Sequence, residues 1–302
     1  MSVSPLVSVV IPTRDRPDLV VAAVRSARGQ TYDNVEIVVV DDGSQPPLEL
    51  PSDLADEVRI LRLDPPTGPG AARNAGVAAS GGSLLAFLDD DDTWRPEKLA
   101  RQVELLVASD EQRVAAVECG FDLRRDGRLV LRYVPPAARD LAATLVEKPC
   151  LQPSTVLLRR TAFERLGGFD PALRRVEDWD LWVRFADEYD AATLGEVLVD
   201  RVDSRSRDEL VWYREMVRRL EPRIAVLPSA ERRRIRAVHH LVEAHLLAQA
   251  GERRLARASA VRALRQQPAG WPRPILYIVR TLIGERAWEL GKRTTSKFRR
   301  RA

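Results

Sequence analysis

The sequence predicts an α/β fold, a mostly parallel sheet covered by helices on both faces, with a helical extension after it. Three observations predict it. Short β-branched runs alternate with helical segments through the first third of the chain, carboxylate clusters close two of those runs, and from about residue 206 helical spacing replaces the strand signals.

VSVVIP, Val7 to Pro12, is a run of buried-strand type. After the polar turn TRDR, Pro17 opens a helix to about Gln30, because its fixed φ suits a first helical position. EIVVVDD (Glu36 to Asp42) and VRILRL (Val58 to Leu63) are the second and third strands. GAARNAGVAAS is a small-residue helix able to pack closely on a sheet, and LLAFLD is the fourth strand. Ligands of such sheets sit beyond the carboxyl ends of the strands, where Asp41, Asp42 and the run Asp89 to Asp92 all fall.

The chain has 302 residues and is 45% hydrophobic, enough to fill a sizeable core. Its formal net charge is +4, but the last nineteen residues hold seven Lys or Arg against two Glu, so the rest is near −1. Cys119 and Cys150 are too few for a disulfide framework, and no signal peptide opens the chain, so a cytoplasmic address is the default expectation. No stretch approaches the roughly 18 uncharged apolar residues of a spanning helix. Any contact with a membrane is expected at its surface.

Asp89 to Asp92 are four adjacent carboxylates at the end of a buried strand, and their repulsion costs free energy unless a partner neutralises them. Taken alone, DDGS (Asp41 to Ser44) is an ordinary turn sequence. The acidic run alone could cap the helix that follows Pro96, and Asp92 or Thr93 suits that role. Four carboxylates directly after Phe87 and Leu88, with Trp94 at the rim, exceed what a cap requires. They point to a metal or a phosphate.

VSVVIPTRDRP, VEIVVVDDGS, GPGAARNAG, LLAFLDDDDTWRPEKL, LGGFD and VEDWDLWVRFA, in this order and at this spacing, resemble the family 2 glycosyltransferases of GT-A (Rossmann-like) fold over about residues 5 to 200. The resemblance implies a catalytic domain over 1–205, with a donor half to about 110 and an acceptor half beyond it. A helical extension over 206–270 and a basic amphipathic tail over 271–302 complete the expected organisation.

The resemblance implies that Asp42 hydrogen-bonds the pyrimidine of a nucleotide, with Pro12, Thr13 and Arg14 at the edge of the same pocket. A carboxylate can accept from a uracil or thymine N3–H, so the chemistry is apt. Asp41 is expected to hold the turn, and Glu36 to be structural. In GPGAARNAG the glycines permit close backbone approach, and a helix starting near Gly70 offers free N–H groups to an anion. Arg73 and Asn74 stand out on an Ala-rich face, and contact with the diphosphate or the sugar is implied for them. The glycine spacing matches neither a Walker nor a dinucleotide fingerprint.

The D-x-D pattern of the family maps onto Asp89, Asp90 and Asp91. Asp91 is the implied direct ligand of Mn²⁺ or Mg²⁺, with Asp89 or Asp90 facing ribose or a metal-bound water. Both ions prefer oxygen ligands and commonly take one or two protein carboxylates with phosphate oxygens. Such an ion neutralises the charge growing on a departing diphosphate. Without it, the carboxylate run is expected to be strained or mobile.

In the second half, Pro149 to Asp170 supplies a strand, STVLLRR, a short helix, TAFERL, and a Gly-Gly turn. Gln152 and Ser154 are weak candidates for touching an acceptor, as are Glu177 and Trp179. Asp178 is the implied general base of an inverting transfer, which needs a carboxylate beside the attacking hydroxyl. The plainer alternative is that Glu177 and Asp178 cap the helix DLWVRFADEY. Trp179 and Trp182, three residues apart on a helix, suit the core for at least one of them. No His occurs before residue 239, so the family's later metal-binding His cannot be carried over, and Asp200 or Asp203 are candidate substitutes.

From Asp208 the chain reads as helices, with Gly251 breaking one long stretch into an antiparallel pair, and His239 and His240 as surface or packing residues. The tail joins apolar and aromatic residues to Lys and Arg, which fits a peripheral helix on an anionic membrane surface, with a solvated basic tail or a nucleic-acid contact as the alternatives. Nothing in the core suggests nucleic-acid readout.

The expected function is transfer of a sugar from a nucleotide-diphosphate sugar, with UDP favoured by Asp42, to a hydroxyl of a saccharide or lipid-linked acceptor at the inner face of the plasma membrane. The alternatives are a nucleotidyl or phosphoryl transferase and a non-catalytic nucleotide-sugar binding protein. The former usually wants a phosphate-gripping loop after the first strand, and TRDRP offers two Arg but no Gly-rich turn.

Overall fold

β1 (Val7–Thr13), α1 (Pro17–Arg28), β2 (Val35–Asp41), the single turn α2 (Ser52–Ala55), β3 (Val58–Arg62), α3 (Pro69–Ala78) and β4 (Leu84–Phe87) follow one another in a computed structural model that describes residues 4–109, 113–202 and 209–266. β1 lies between β2 and β4, and β3 flanks β2, all parallel. All seven residues of β1 are buried, as a strand covered on both faces requires.

The two faces divide the strand residues by alternation. Val9 and Ile11 share one apolar cluster with Val20, Ala23 and Val24 of α1 and with Leu99, Val103 and Leu106 of α4 (Lys98–Ala108). On the opposite face α3 approaches Val10 and Val40 so closely that a Cβ on Gly76 would stand 2.4 Å from Val10 Cγ1. The small residues of α3 are therefore what brings its N-terminus down onto the strand ends.

The second half adds β5 (Thr93–Trp94), β6 (Val114–Arg125), β7 (Arg128–Tyr133), α5 (Leu141–Glu147), β8 (Val156–Arg159), α6 (Arg160–Arg165), α7 (Glu177–Glu188) and β9 (Asp190–Val202). The sheet order is β3-β2-β1-β4-β8-β6-β9-β5, with β7 paired to β6. β8 runs antiparallel to both β4 and β6, β6 is parallel to β9, and β5 is antiparallel to β9. The sheet is thus parallel through its first four strands and mixed beyond them. β5 matters for the site: its pairing of Thr93 with Asp200 pins the chain immediately after the acidic run.

The chain divides into two compact units, one of residues up to 145 with 149–204, the other of 146–148 with residues from 205 onward. In the second unit α8 (Glu209–Ala225), α9 (Ser229–Gln249) and α10 (Arg253–Arg265) follow in order, with Gly251 at φ 82° turning α9 into α10. His239 is buried there, its Nε2 3.0 Å from the Val146 carbonyl, and burial pushes its pKa down to about 4. It is a neutral packing residue. No helix among the described residues is long and apolar enough to cross a membrane. The basic segment 271–302 and Asp203 lie outside the described residues.

Candidate active site

The carboxyl ends of β1, β2 and β4, the N-terminus of α3 and the start of α7 surround an open cavity of about 590 Å³. Pro12, Thr13, Arg14, Asp42, Arg73, Asp89, Asp90, Asp91, Gln152, Glu177 and Asp178 all line it, so residues far apart in sequence meet at one rim. Asn74, Ser154 and Trp179 do not line it.

Each of the four carboxylates after β4 has a cationic partner, and Asp90 and Asp91 share one. Asp89 accepts from Arg73 Nη2 at 2.6 Å. Asp90 accepts from Thr13 Oγ1 at 2.7 Å and from Arg16 Nη1 at 3.0 Å, and the same Nη1 lies 3.3 Å from Asp91 Oδ2. Asp92, almost wholly buried, accepts from the Val202 amide at 3.1 Å and from Arg201 Nε at 3.3 Å. Burial pushes the Asp92 carboxyl up to about 7, against the opposing charge of Arg201, and burial also raises Asp90. Three arginines offset the charge of the run, although Asp89 and Asp91 still push Asp92 upward and Asp91 pushes Asp90, and Asp92 ties the loop to β9 rather than facing the cavity.

Arg73 joins the two halves of the site. Its side chain is 6% exposed and donates through Nη1 to Glu177 at 2.6 Å as well as through Nη2 to Asp89. The two carboxylates outweigh the burial that opposes its charge, and its pKa is raised. α7 begins at Glu177 after Val176, a β-branched residue held in the left-handed region at φ 56°. Gly70 makes room for that start, since a Cβ there would stand 3.0 Å from Glu177 Cγ.

Glu177 and Asp178 are thus the first two residues of α7 and not caps placed before it. Asp178 is half-buried, and its Oδ1 accepts from the Trp179 amide at 2.7 Å. Burial, reinforced by the charge of Glu177 and opposed by Arg73, pushes the Asp178 carboxyl up to about 7.

Asn74, Ser154, Trp179 and Asp200 find a physical role other than the one the sequence suggested, while Asp41 and Glu36 are structural as expected. Asn74 spends its amide on the Phe169 backbone, donating to the carbonyl at 2.8 Å and accepting from the amide at 3.0 Å, so it fastens the Gly-Gly turn. Ser154 is fully buried and its Oγ accepts from the Asp89 amide at 3.1 Å, which positions the acidic loop from behind. Trp179 is 2% exposed with its indole N–H on the Leu145 carbonyl at 2.6 Å, and Trp182 is buried beside it, so both belong to the core. Glu177 lines the cavity but its Oε1 is held by Arg73. Asp200 accepts from Arg124 Nε at 2.7 Å and is absent from the cavity wall. Asp41 holds the β2 turn through the Ser44 and Leu48 amides and Arg62. Glu36 ties Ser8 to the Gly81 and Gly82 amides.

Asp42 binds the loop before α3: Oδ1 accepts from Thr67 N at 2.7 Å and Thr67 Oγ1 at 3.0 Å, and Oδ2 from Gly68 N at 2.8 Å. A carboxylate has about four lone-pair directions, so three protein donors leave Asp42, which lines the cavity, with room for one more. Arg16, Arg174, Arg175 and Arg201 also line the cavity and were not singled out by sequence. Neither an arginine in a polar loop nor one near the end of a strand, as Arg201 is in β9, carries a local signal of where its guanidinium will go.

Among the described residues no group of three or more His, Cys, Asp or Glu side chains converges to hold a metal ion by itself. The donor set at the cavity still fits one: Asp91 is a hard oxygen donor at the rim, suited to a cation that completes its shell with phosphate oxygens and water.

The sequence model of the family described as Glycosyl transferase family 2 matches residues 8–167. A Rickettsia prowazekii (strain Madrid E) protein named uncharacterized glycosyltransferase RP339 is 32% identical over 189 residues, covering 60% of this chain and 59% of its own. Succinoglycan biosynthesis protein ExoO of Rhizobium meliloti (strain 1021) is 35% identical over 193 residues, covering 59% and 54%. The chain spans less than two thirds of the length of these relatives. Among solved structures, the crystal structure of S. aureus TarS 1–349 in complex with UDP aligns with a TM-score of 0.61 at 16% identity, over 97% of this chain and 92% of that one. The mannosyltransferase PcManGT from Pyrobaculum calidifontis, in complex with GDP-Man and Mn²⁺, aligns at 0.52 and 18% identity, over 96% and 86%. The fold is that of the GT-A glycosyltransferases, and the chain belongs to glycosyl transferase family 2.

Proposed function

We propose that this protein transfers a sugar from a nucleoside-diphosphate sugar, a UDP-sugar above others, to a hydroxyl of a saccharide or lipid-linked acceptor, with inversion at the anomeric carbon. The observation that carries this reading is the meeting of Asp42, Asp91 and Asp178 around one cavity. Neighbours of the same fold crystallised with UDP, UDP-GlcNAc and GDP-Man support a nucleotide-sugar donor.

The open lone pair of Asp42 suits a pyrimidine N3–H, and the N-terminus of α3 presents free N–H groups to the diphosphate. Asp91, with Asp89 beside it, would hold Mn²⁺ or Mg²⁺, which when bound offsets negative charge on the leaving diphosphate. Asp178 orients and deprotonates the acceptor. The acceptor oxygen attacks C1, the bond from C1 to the diphosphate oxygen breaks with its electron pair leaving on the nucleotide, and the hydroxyl proton passes to an Asp178 carboxylate oxygen. Arg73 acts at one remove, holding Asp89 and Glu177 so that the donor and acceptor sides keep their register. The basic tail would hold the enzyme at an anionic inner membrane face, where lipid-linked acceptors lie.

The test is nucleotide release from UDP-sugars by wild type and by Asp178→Asn, with UDP affinity measured in parallel. Loss of release at unchanged UDP affinity is expected. Weakened UDP binding with comparable turnover would remove Asp178 from the role of base.

A further inference from the structure

Six arginines line the cavity, and four of them have carboxylate partners. Arg14 pairs with Asp15 at 3.4 Å, Arg16 with Asp90 and Asp91, Arg73 with Asp89 and Glu177, and Arg201 with Asp92. Arg174 and Arg175 are different: both are exposed, both line the cavity, and among the described residues neither guanidinium has a hydrogen bond or an ion pair.

Their loop is built, not slack. Asp170 anchors its base through the Ala172 amide at 2.9 Å and the Leu173 amide at 3.1 Å, and Leu173 is buried. Its far end is fixed by Val176 at φ 56° and ψ 15°, a conformation that costs a β-branched residue energy and persists only where the surroundings demand it. The backbone thereby places Arg174 and Arg175 four and three residues before Asp178, while Asp89 and Asp91 across the cavity are already paired with Arg73 and Arg16.

We infer that Arg174 and Arg175 recognise a phosphate or carboxylate carried by the acceptor, so that the acceptor is an anionic saccharide or polyol chain. This rests on the glycosyl-transfer reading of the same cavity. Two guanidinium forks match phosphate and carboxylate oxygens in a way two ammonium groups do not, and a fixed anion beside the attacked hydroxyl sets its position relative to Asp178.

The experiment titrates wild type, R174Q/R175Q and R174K/R175K with UDP and Mn²⁺, and then with a poly(glycerol phosphate) oligomer and an oligogalacturonate, each with and without saturating UDP. Wild type is expected to bind one of the two oligomers more tightly than a neutral glucan of equal length. R174Q/R175Q should weaken that binding by about tenfold or more, and R174K/R175K should recover part of it. UDP affinity should stay within about twofold in both variants. Equal oligomer binding by wild type and R174Q/R175Q, or no preference of wild type for either oligomer over the neutral glucan, overturns the inference. So does a loss of UDP affinity in R174Q/R175Q, which would make the donor diphosphate the anion they hold. Failure of wild type to bind UDP would instead strike the proposed function, and the oligomer titration without UDP would still decide this inference.

Discussion

Arg73 and Glu177 lie 104 residues apart in sequence and meet at 2.6 Å in the wall of the cavity, with the second guanidinium nitrogen of Arg73 on Asp89. One buried side chain thus couples the end of β4 to the start of α7. Because both ends of the link are carboxylates, removing the cation leaves a buried charge uncompensated, which costs far more than a surface pair.

Arg73→Gln is expected to lower stability by about 3 kcal/mol in urea denaturation, and Arg73→Gln with Glu177→Gln to recover part of that loss. Equal losses in the single and double variants would show that the pair is not the source of the effect.

Arg16 has a different place. Its guanidinium is about half exposed and sits on Asp90 and Asp91, where the proposed metal ion would compete with it. Arg16→Gln should lower stability by about 1 kcal/mol, less than Arg73→Gln, because Arg16 is half exposed although its carboxylate partners are largely buried. It should raise the affinity of nucleotide-free protein for Mn²⁺, read by paramagnetic resonance of the free ion. Unchanged affinity would mean that Arg16 and the metal do not compete for Asp91.

Asp178 gives a pH dependence with a definite sign. Its carboxyl keeps its proton up to about pH 7 in the folded protein, mainly through burial. A base must be ionised, so transfer should rise roughly tenfold per pH unit below pH 7 and level off above it. The linkage to stability runs the other way. Between the unfolded value of about 3.9 and 7 the folded state binds more protons than the unfolded one, so the contribution of this group falls as pH rises. Asp178→Asn keeps an oxygen for the Trp179 amide, and should therefore raise Tm by more at pH 8 than at pH 5. A rate independent of pH between 5 and 8 would contradict this account of the base.

Gly76 tests the packing that brings α3 to the strand ends. Gly76→Ala would place its Cβ 2.4 Å from Val10 Cγ1 and 3.0 Å from Val40 Cγ2, and should cost about 2 kcal/mol. Circular dichroism melts measure it, and an unchanged Tm would show that α3 can shift freely.

Much of the first half of the sheet was legible because its signals are local. Val7 to Pro12 and Glu36 to Asp42 announce buried strands by composition, and the carboxylates that follow them fall at one rim by the rule of parallel sheets. Partnership across the fold was not legible. Asn74 stood out on an Ala-rich helix, yet the turn it fastens lies 95 residues on, and nothing near it in sequence shows that. The neutralisation of the acidic run by Arg16, Arg73 and Arg201 is likewise a property of the assembled sheet. Trp179 could be an exposed platform or a core residue until α7 was placed, since both uses share helical spacing. β9 mixes polar and apolar residues along its 13 positions and carries a weaker strand signal than β1, although its pairing with β5 fixes the loop that bears Asp91.

The central claim is that this cavity takes a nucleoside diphosphate with a divalent cation at Asp91. Calorimetric titration of the purified protein with UDP, dTDP and GDP, each with Mn²⁺ or Mg²⁺ and again with EDTA, tests it most directly. The account predicts metal-dependent binding of UDP that is lost in Asp91→Ala. Binding of no nucleotide under any of these conditions, or UDP binding unaffected by both EDTA and Asp91→Ala, would contradict it.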